Sequence, residues 1–332
     1  MKIIFSESSN LNNSVYGNCQ APIKMFLEKR GEEFEQNSML KNLFLMGSSK
    51  NYGDVMTTLT AMSGFEPVGE NGAYPLDGMQ EGYQKFLKYQ TWKDSFSVSK
   101  EMIEDGKLLD MRKQPAAFMT SYKRTRELFG AALYGAAMMG NGSVTFKGVK
   151  FDLTGADGSN LFAKEHVPKV SGDKQCNCFK DAFSVDTLSK LETKMHLFRG
   201  DNDEILDVAP DTILIPENAD LKKAVFAAIG ADKDPVSANN AFNYQYGRWN
   251  VIVWPYLNHY IANGVSPWVL LDSKYNETYG GAVWNDRIQL EARSTIDENT
   301  DANVWRGRSR FNACFNDWRF AAIGGIAAGN SL

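Results

Sequence analysis

The spacing of hydrophobic and polar positions changes along the first hundred residues, and each change predicts a different kind of element. Residues 1–20 are polar and asparagine-rich, and an amphipathic pattern from Pro22 to Gly47 predicts an arm of short helices. Turn-forming residues crowd positions 64–82, and positions 83–98 then place aromatic and charged side chains on both faces of an extended segment. Such a segment has no clean buried face, so we expect it to lie on its own core or on a neighbouring copy.

The rest of the chain predicts one long helix, an α/β region and a final sheet. An apolar stripe at alternating steps of four and three runs from about Gln114 or Pro115 to Met139. At ~1.5 Å per residue, roughly 25 residues form a rod near 37 Å long. Residues 143–285 mix short apolar strands with capped helices, and beyond residue 286 apolar and charged side chains alternate with period two. These last strands are suited to packing one face against the long helix.

Composition and charge narrow the class of protein. The chain has 332 residues, 43% of them hydrophobic, and its 36 basic and 40 acidic residues give a net charge of −4. This balance provides no global attraction to nucleic acid or to an anionic membrane. No stretch approaches the ~18 apolar residues of a membrane helix. The four cysteines are scattered, as expected of reduced thiols. We therefore expect neither a membrane protein nor one that grips DNA tightly.

The sequence offers little that catalysis or metal binding needs. It has three histidines without H-x-x-x-H spacing, no G-x-S-x-G elbow and no G-x-x-x-x-G-K-[ST] phosphate loop. Cys176 and Cys178 could supply two thiolates beside His166 or His196, but their spacing is unusual for zinc and no second pair follows. The acidic stretch 201–204 lacks the glycine and glutamate of a calcium loop. We predict no catalytic residue, no metal and no cofactor.

Three segments resemble the major head subunits of Mu-like phages and prophages, which belong to the tailed-bacteriophage major capsid proteins. They are YQTWKDSFSVSKEMIED at 89–105, DGSNLF with HVP at 157–168, and VAPDTILIP at 208–216. The matching extends over most of the chain from about residue 25. The resemblance implies an α+β fold, the tailed-phage major capsid fold shared with encapsulins and herpesvirus capsid floors. Its parts are an N-terminal arm, an extended β-hairpin loop, a peripheral domain with a long spine helix and antiparallel sheet, and an α/β axial domain.

The resemblance also implies a division of the chain and a function. The expected parts are the arm at 1–55, the extended loop at 56–98, the peripheral domain at 99–145 with 286–332, and the axial domain at 146–285. The implied function is a structural protein, not an enzyme, that self-assembles into the pentamers and hexamers of a phage shell. That shell encloses double-stranded DNA without sequence-specific binding or a membrane, and it is assembled in the host bacterial cytoplasm.

Partners other than the chain itself follow from the same resemblance. Some family members begin with a scaffolding segment that a protease removes, whereas here the arm begins almost at Met1. We therefore expect a separate scaffolding protein and a portal, with a decoration protein as a further partner.

The candidates for contacts between subunits lie on the extended loop, the arm and the last sheet. They are Lys85, Lys88, Trp92, Lys93, Glu28, Glu32, Glu33, Arg306, Arg308 and Arg310. The arginines form either an exposed sheet face balanced by nearby carboxylates or an ion-pair surface opposing the acidic arm. Contact with packaged DNA is less favoured, because three charges supply little salt-resistant affinity.

Other functions remain open at this point. An encapsulin-like compartment would use the same fold, an α/β enzyme would need an unrecognised pocket within 143–285, and a ligand-binding virion protein would need an aromatic surface. The aromatic residues in question are Tyr244, Tyr246, Trp249 and Trp254. The shell hypothesis depends on one idea, namely that the first hundred residues cannot cover their own apolar surface and are covered by adjacent copies.

Overall fold

The computed structural model describes residues 3–7, 11, 16–59, 65, 67–70, 72–74, 76, 81–105, 108–170, 172–201, 203–230 and 243–332. Its α-helices are α1 (Gly17–Gln36), α2 (Leu40–Leu43), α3 (Lys100–Glu104), α4 (Leu108–Met138), α5 (Val185–His196), α6 (Ala219–Ile229) and α7 (Ser273–Tyr279). Its strands are β1 (Ile4–Glu7), β2 (Leu45–Ser48), β3 (Gly53–Leu59), β4 (Glu81–Lys88), β5 (Gln90–Val98), β6 (Ser143–Phe146), β7 (Val149–Asp152), β8 (Thr212–Ile215), β9 (Asn250–Val253), β10 (Trp268–Leu271), β11 (Ala282–Ile296), β12 (Asn303–Phe315) and β13 (Ala321–Gly324).

Two larger sheets organise the described residues. The long sheet has the order β1-β11-β12-β5, with β2 pairing β11 next to β1. Its β11, β12 and β5 are antiparallel neighbours, whereas β1 and β2 run parallel to β11. The second sheet has the order β13-β10-β8-β9, and β3–β4 and β6–β7 form separate antiparallel hairpins. The structure is therefore a mixed α+β fold, as the sequence predicted.

Helix α4 is the spine of the fold and is longer than expected. It begins at Leu108 and continues through Pro115, where the sequence pattern placed the start. A proline removes one backbone hydrogen bond, and here the helix continues through it. Every residue from Phe129 to Met138 is buried, so the second half of α4 runs through the main hydrophobic core. The Tyr134 hydroxyl donates to the carbonyl oxygen of Leu43 at 2.8 Å, and burial raises its pKa.

Aromatic rings from distant parts of the chain meet around this half of α4. Phe44 packs edge-on against Tyr134 and Trp284, with ring centroids 5.2 and 5.6 Å apart. The Phe129 ring meets Trp284 at 5.5 Å. Such pairs contribute ~0.5–1.5 kcal/mol each beyond the area that they bury. The arm, the spine helix and the long sheet therefore share one core.

The arm packs on its own subunit. Ile23 and Leu27 of α1 cluster with Met119 of α4 and Trp305 of β12, and Ile3 is buried beside them. Strand β5, in turn, is paired with β12 along its whole length. The idea that the first hundred residues cannot cover their own apolar surface is therefore wrong for the arm and for β5. It failed because pairing across more than two hundred residues leaves no mark on local sequence spacing.

Candidate intersubunit interface

The β3–β4 hairpin rests on its own subunit through one of its faces. Lys85 Nζ lies 3.2 Å from an Asp152 carboxylate oxygen and also donates to the carbonyl oxygen of Thr154. The Tyr83 hydroxyl donates to the carbonyl oxygen of Val167 at 3.4 Å. The Lys85 side chain is only 9% exposed. The predicted interface residue Lys85 is therefore engaged within its own subunit.

A polar cluster fixes the base of the hairpin to the long sheet. The Asp54 carboxylate accepts hydrogen bonds from the Tyr89 hydroxyl, from Ser49 Oγ at 2.9 Å and from Asn51 Nδ2 at 3.0 Å. Asn285 of β11 donates to the Tyr89 hydroxyl oxygen at 3.2 Å. Burial opposes ionisation of Asp54, but these hydrogen bonds outweigh it and lower the pKa of the carboxyl. The cluster therefore ties the base of the hairpin to β11 of the long sheet.

The opposite face of the hairpin, which we call the outer hairpin face, exposes large apolar side chains that its own subunit does not cover. Val55 lies directly opposite Phe86 in the β3–β4 register, and the two residues are 61% and 57% exposed. Tyr52 is 58% exposed, and Lys88 Nζ lies 5.5 Å from the centroid of its ring. An exposed cluster of large apolar side chains on a protein surface marks a contact site.

The predicted interface residue Trp92 belongs to the core of its own subunit. Its ring stacks on Phe311 with centroids 5.2 Å apart, and it meets Phe129 and Phe146 at 5.7 and 5.8 Å. The indole N–H donates to the carbonyl oxygen of Phe311 at 3.4 Å. The described contacts of Trp92 therefore lie within its own subunit, and a contact of its exposed part with another subunit stays a prediction.

Cations gather on the side of the long sheet that faces away from the helices. We call this side the basic sheet face, and its charged members are Lys93, Arg293, Arg306, Arg308, Arg310 and Glu291. Arg306 and Arg308 are exposed, whereas Arg310 is half-buried and its Nε has no hydrogen-bond partner among the described residues. The groove that runs over Arg306 and Arg308 has a volume of about 850 Å³. The structure thus brings the predicted Lys93 and arginines together on one surface and adds Arg293, which was not among the predicted contact residues.

The acidic residues of the arm lie on the other side of the sheet. Helix α1 packs with α4 on the side to which Leu290 and Trp305 point, so the arm and the basic sheet face of one subunit cannot meet. Glu28 and Glu32 are exposed, whereas Glu33 accepts a hydrogen bond from Arg30 Nη1 at 2.8 Å. An ion pair between the arm and the basic sheet face would therefore have to join two subunits.

His166, one of the residues considered for metal binding, lies in a buried hydrogen-bond network instead. The His166 ring stacks on Trp318 with centroids 4.1 Å apart, and its two nitrogens lie 2.7 Å from Asp157 and 3.1 Å from Asn177. Asn177 also donates to two backbone carbonyls, one of them that of Ala321 at 3.0 Å. Within the described part of the chain, no group of histidine, cysteine and carboxylate side chains could hold a metal ion.

Cys178, which follows Asn177, is buried in the same region. Burial raises the pKa of its thiol to about 11. The C-x-C motif therefore places an apolar thiol and a bridging amide in the interior.

The aromatic residues considered as a ligand surface do not form one. Trp254 is buried and donates its indole N–H to Glu127 at 3.2 Å, whereas Tyr244 and Tyr246 are about half exposed. Trp249 is half-buried and donates to Gln245 Oε1 at 2.6 Å.

None of the described helices is long and apolar enough to cross a bilayer.

The hairpin leaves Val55 and Phe86 exposed and the long sheet leaves Arg306 and Arg308 exposed, so both surfaces are candidates for contacts with other chains. Residues 83–324 match the family described as phage capsid protein. The matched segment is most of the chain, so the protein belongs to this family and is a structural protein of the virion capsid. The match supports a phage shell over the encapsulin-like and enzyme alternatives.

Solved structures with a similar chain include two phages and a virus-like particle. The chain is similar to that of Mycobacterium phage Patience, with 13% identity, 100% of this chain and 94% of that chain covered, and a TM-score of 0.47. For Gordonia phage Cozz the identity is 14%, the coverage 88% and 87%, and the TM-score 0.47. For a virus-like particle from Pyrococcus furiosus the values are 10%, 91% and 97%, and 0.46. No curated protein matches the sequence. The assignment therefore rests on the family match.

Proposed function

We propose that this capsid protein is the major subunit of a tailed-phage head and that it assembles as pentamers and hexamers around double-stranded DNA. The outer hairpin face is the single observation that carries the proposal. Val55 and Phe86 sit on a two-stranded projection whose other face is already used by its own subunit, so a covering surface has to come from another copy.

The energetics favour such a contact. Burying a valine or phenylalanine side chain that was exposed contributes ~1.5–3 kcal/mol. Obligate interfaces in homo-oligomers exceed ~2,000 Å², and a contact of that size needs apolar anchors of this kind. Phe65, Tyr74 and Leu76, in the segment between β3 and β4, are almost completely exposed and would add to the contact. Lys88, beside Tyr52, would lie at its edge.

Family membership supports the remaining parts of the proposal. We propose that the chain divides into the arm (1–55), the extended loop (56–98), the peripheral domain (99–145 with 286–332) and the axial domain (146–285). We also propose that a scaffolding protein, a portal and a decoration protein act with it, that assembly takes place in the host bacterial cytoplasm, and that the subunit performs no catalysis. The net charge of −4 fits a container that encloses DNA without gripping it.

The test compares particle formation by three forms of the full chain. Wild type should elute as capsomers or particles and show closed shells by negative-stain electron microscopy. The double variant Val55→Asp/Phe86→Asp should remain as soluble subunits with the wild-type circular dichroism spectrum, because it places charge in the contact. The matched control Val55→Ile/Phe86→Leu keeps the face apolar and should assemble. Normal shells from the aspartate variant would refute the proposal, as would a wild-type protein that stays a monomer or dimer.

A further inference from the structure

Both nitrogens of the buried His166 ring face hydrogen-bond acceptors. Nδ1 lies 2.7 Å from a carboxylate oxygen of Asp157, and Nε2 lies 3.1 Å from Oδ1 of Asn177. A carboxylate oxygen accepts hydrogen bonds and cannot donate one, so Nδ1 has to carry a hydrogen. The His166 side chain is only 1% exposed, so a missing hydrogen bond on either side would not be replaced by one to bulk solvent.

The orientation of the Asn177 amide is fixed by three other hydrogen bonds. Its Nδ2 donates to the carbonyl oxygens of Leu161 at 2.8 Å and Ala321 at 3.0 Å. Its Oδ1 accepts from the backbone N–H of Ala163 at 3.0 Å. Turning the amide over would set its oxygen against two carbonyl oxygens and its NH₂ group against an N–H. Oδ1 therefore faces the ring as an acceptor, and Nε2 has to carry a hydrogen as well.

The surroundings of His166 favour a cation. The ring stacks on Trp318 with centroids 4.1 Å apart, and a cation over the face of an indole is attracted to it. The other charged or titratable groups on the elements around the ring are Asp157, Asp201, Asp317, Arg319, Tyr83 and Cys178. Lys164 and Glu165, which are its neighbours in the chain, are exposed.

The carboxylates of this group outnumber its arginine. Arg319 lies 2.9 Å from a carboxylate oxygen of Asp201 and 3.3 Å from one of Asp317, so two carboxylates share its guanidinium. Among the described ion pairs, Asp157 has His166 as its cation. A positive charge on the His166 ring therefore neutralises a carboxylate that is itself almost completely buried.

His166 comes directly before the residues that hold the β3–β4 hairpin. The Tyr83 hydroxyl donates to the carbonyl oxygen of Val167, and Lys169 Nζ donates to the carbonyl oxygen of Gly82 at 2.6 Å. The ring thus fastens to the interior the short segment on which the hairpin rests.

We infer that His166 is doubly protonated in the folded subunit and is a proton-dependent clasp for the β3–β4 hairpin. Removing either proton sets a nitrogen lone pair against an oxygen lone pair in a buried site. The contribution of the clasp is therefore present at low pH and is lost when a rise in pH removes one proton. Residues 166–169 then loosen, and with them the position of the outer hairpin face. His166 is a positioning residue in this role, whether or not the subunit is part of a shell.

Nitrogen-15 NMR of the ring nitrogens tests the protonation state directly. The full chain is labelled with ¹⁵N-histidine and carries His196→Gln and His259→Gln, so that the remaining signals come from His166. At about pH 8, an imidazole with the ordinary pKa of ~6.5 is doubly protonated in only about 3% of molecules. In unassembled subunits at that pH, both ring nitrogens of His166 should give the signals of protonated nitrogens. An unprotonated ring nitrogen would overturn the inference.

A change of Asp157 in the same labelled chain tests the counter-ion. The Asp157→Asn variant offers an N–H group to Nδ1, so the ring should become neutral, with its hydrogen on Nε2 alone. The matched control is Asp207→Asn, which removes a carboxylate near the exposed site at position 196 and should leave the His166 signals unchanged. A ring that stays doubly protonated in a folded Asp157→Asn subunit would overturn the inference.

Hydrogen–deuterium exchange of backbone amides tests the clasp. A His166→Gln side chain carries no positive charge, so the amides of β4 should exchange at least about tenfold faster than in wild type. The amides of β8, in the other sheet, should keep their wild-type rates. Unchanged exchange of β4 in this variant would overturn the role of His166 in holding the hairpin.

The pH dependence separates the clasp from a merely structural contact. Once the NMR signals report the loss of one proton, exchange of β4, corrected for its intrinsic pH dependence, should rise in the wild type. It should stay flat in Asp157→Asn, whose neutral ring already has both partners. A wild-type hairpin that does not respond to loss of the proton would overturn the inference. All of these measurements use unassembled subunits, so a wild type that forms no shells would refute the proposed function alone.

Discussion

Replacing Trp92 by alanine tests whether its indole ring packs within its own subunit or contacts another subunit. The ring contacts Phe311, Phe129, Phe146 and Phe151 of its own subunit, with centroids 5.2–6.3 Å apart. Truncating a large aromatic side chain in a core costs ~3–5 kcal/mol. Because Trp92 is half-buried, we expect a loss of about 3 kcal/mol, at the lower end of that range.

This loss translates into a measurable change in melting temperature. An unfolding entropy of ~2.1 cal/mol/K per residue gives about 0.7 kcal/mol/K for a chain of 332 residues. A destabilisation of about 3 kcal/mol therefore lowers Tm by about 4 °C. The Trp92→Phe variant keeps the stacking on Phe311 and should lose less than half as much.

The assay is thermal unfolding of unassembled subunits, followed by near-ultraviolet circular dichroism, alongside a particle count for the same variants. Wild type, Trp92→Phe and Trp92→Ala should unfold in that order of decreasing Tm. An alanine variant with wild-type Tm that forms no particles would refute the reasoning, since it would place the indole ring at a subunit contact.

Two further predictions concern buried positions. Burial raises the pKa of Glu127 above its ordinary value of 4.5, although Ser38 and Trp254 donate hydrogen bonds to its carboxylate. The protonated side chain therefore favours the folded state. Its contribution to stability is full below about pH 4.5 and is lost as the pH rises through the folded-state pKa. Glu127→Gln should therefore raise Tm relative to wild type at neutral pH and flatten this part of the pH–stability curve; an unchanged pH dependence would contradict it. At Gly307 an added Cβ would overlap the Phe118 ring, so Gly307→Ala should cost ~1–3 kcal/mol, and adding Phe118→Leu should recover part of the Tm. A Gly307→Ala subunit with wild-type Tm would show that the ring moves aside freely.

The sequence by itself determined the elements and the class of fold. The apolar stripe of α4 and the period-two alternation of β11 and β12 are local patterns, and both elements are present in the structure. The order of these parts, with three sequence segments, was also enough to identify the resemblance to tailed-phage capsid proteins. The family match over residues 83–324 agrees with that resemblance. Local spacing decides which side chains share a face of a helix or strand.

Only the tertiary structure decided what covers each face. Trp92 and Lys93 are adjacent in β5 and therefore point to opposite faces of the sheet. The pairing of β5 with β12, more than two hundred positions away, places the Trp92 side against the core and makes the Lys93 side part of the basic sheet face. The same pairing brings Lys93 to Arg308, while the pairing of β11 with β12 brings Arg293 to Arg306. The alternation of apolar and polar residues along a strand restricts its register, but which distant strand it pairs with depends on the surfaces that meet in space.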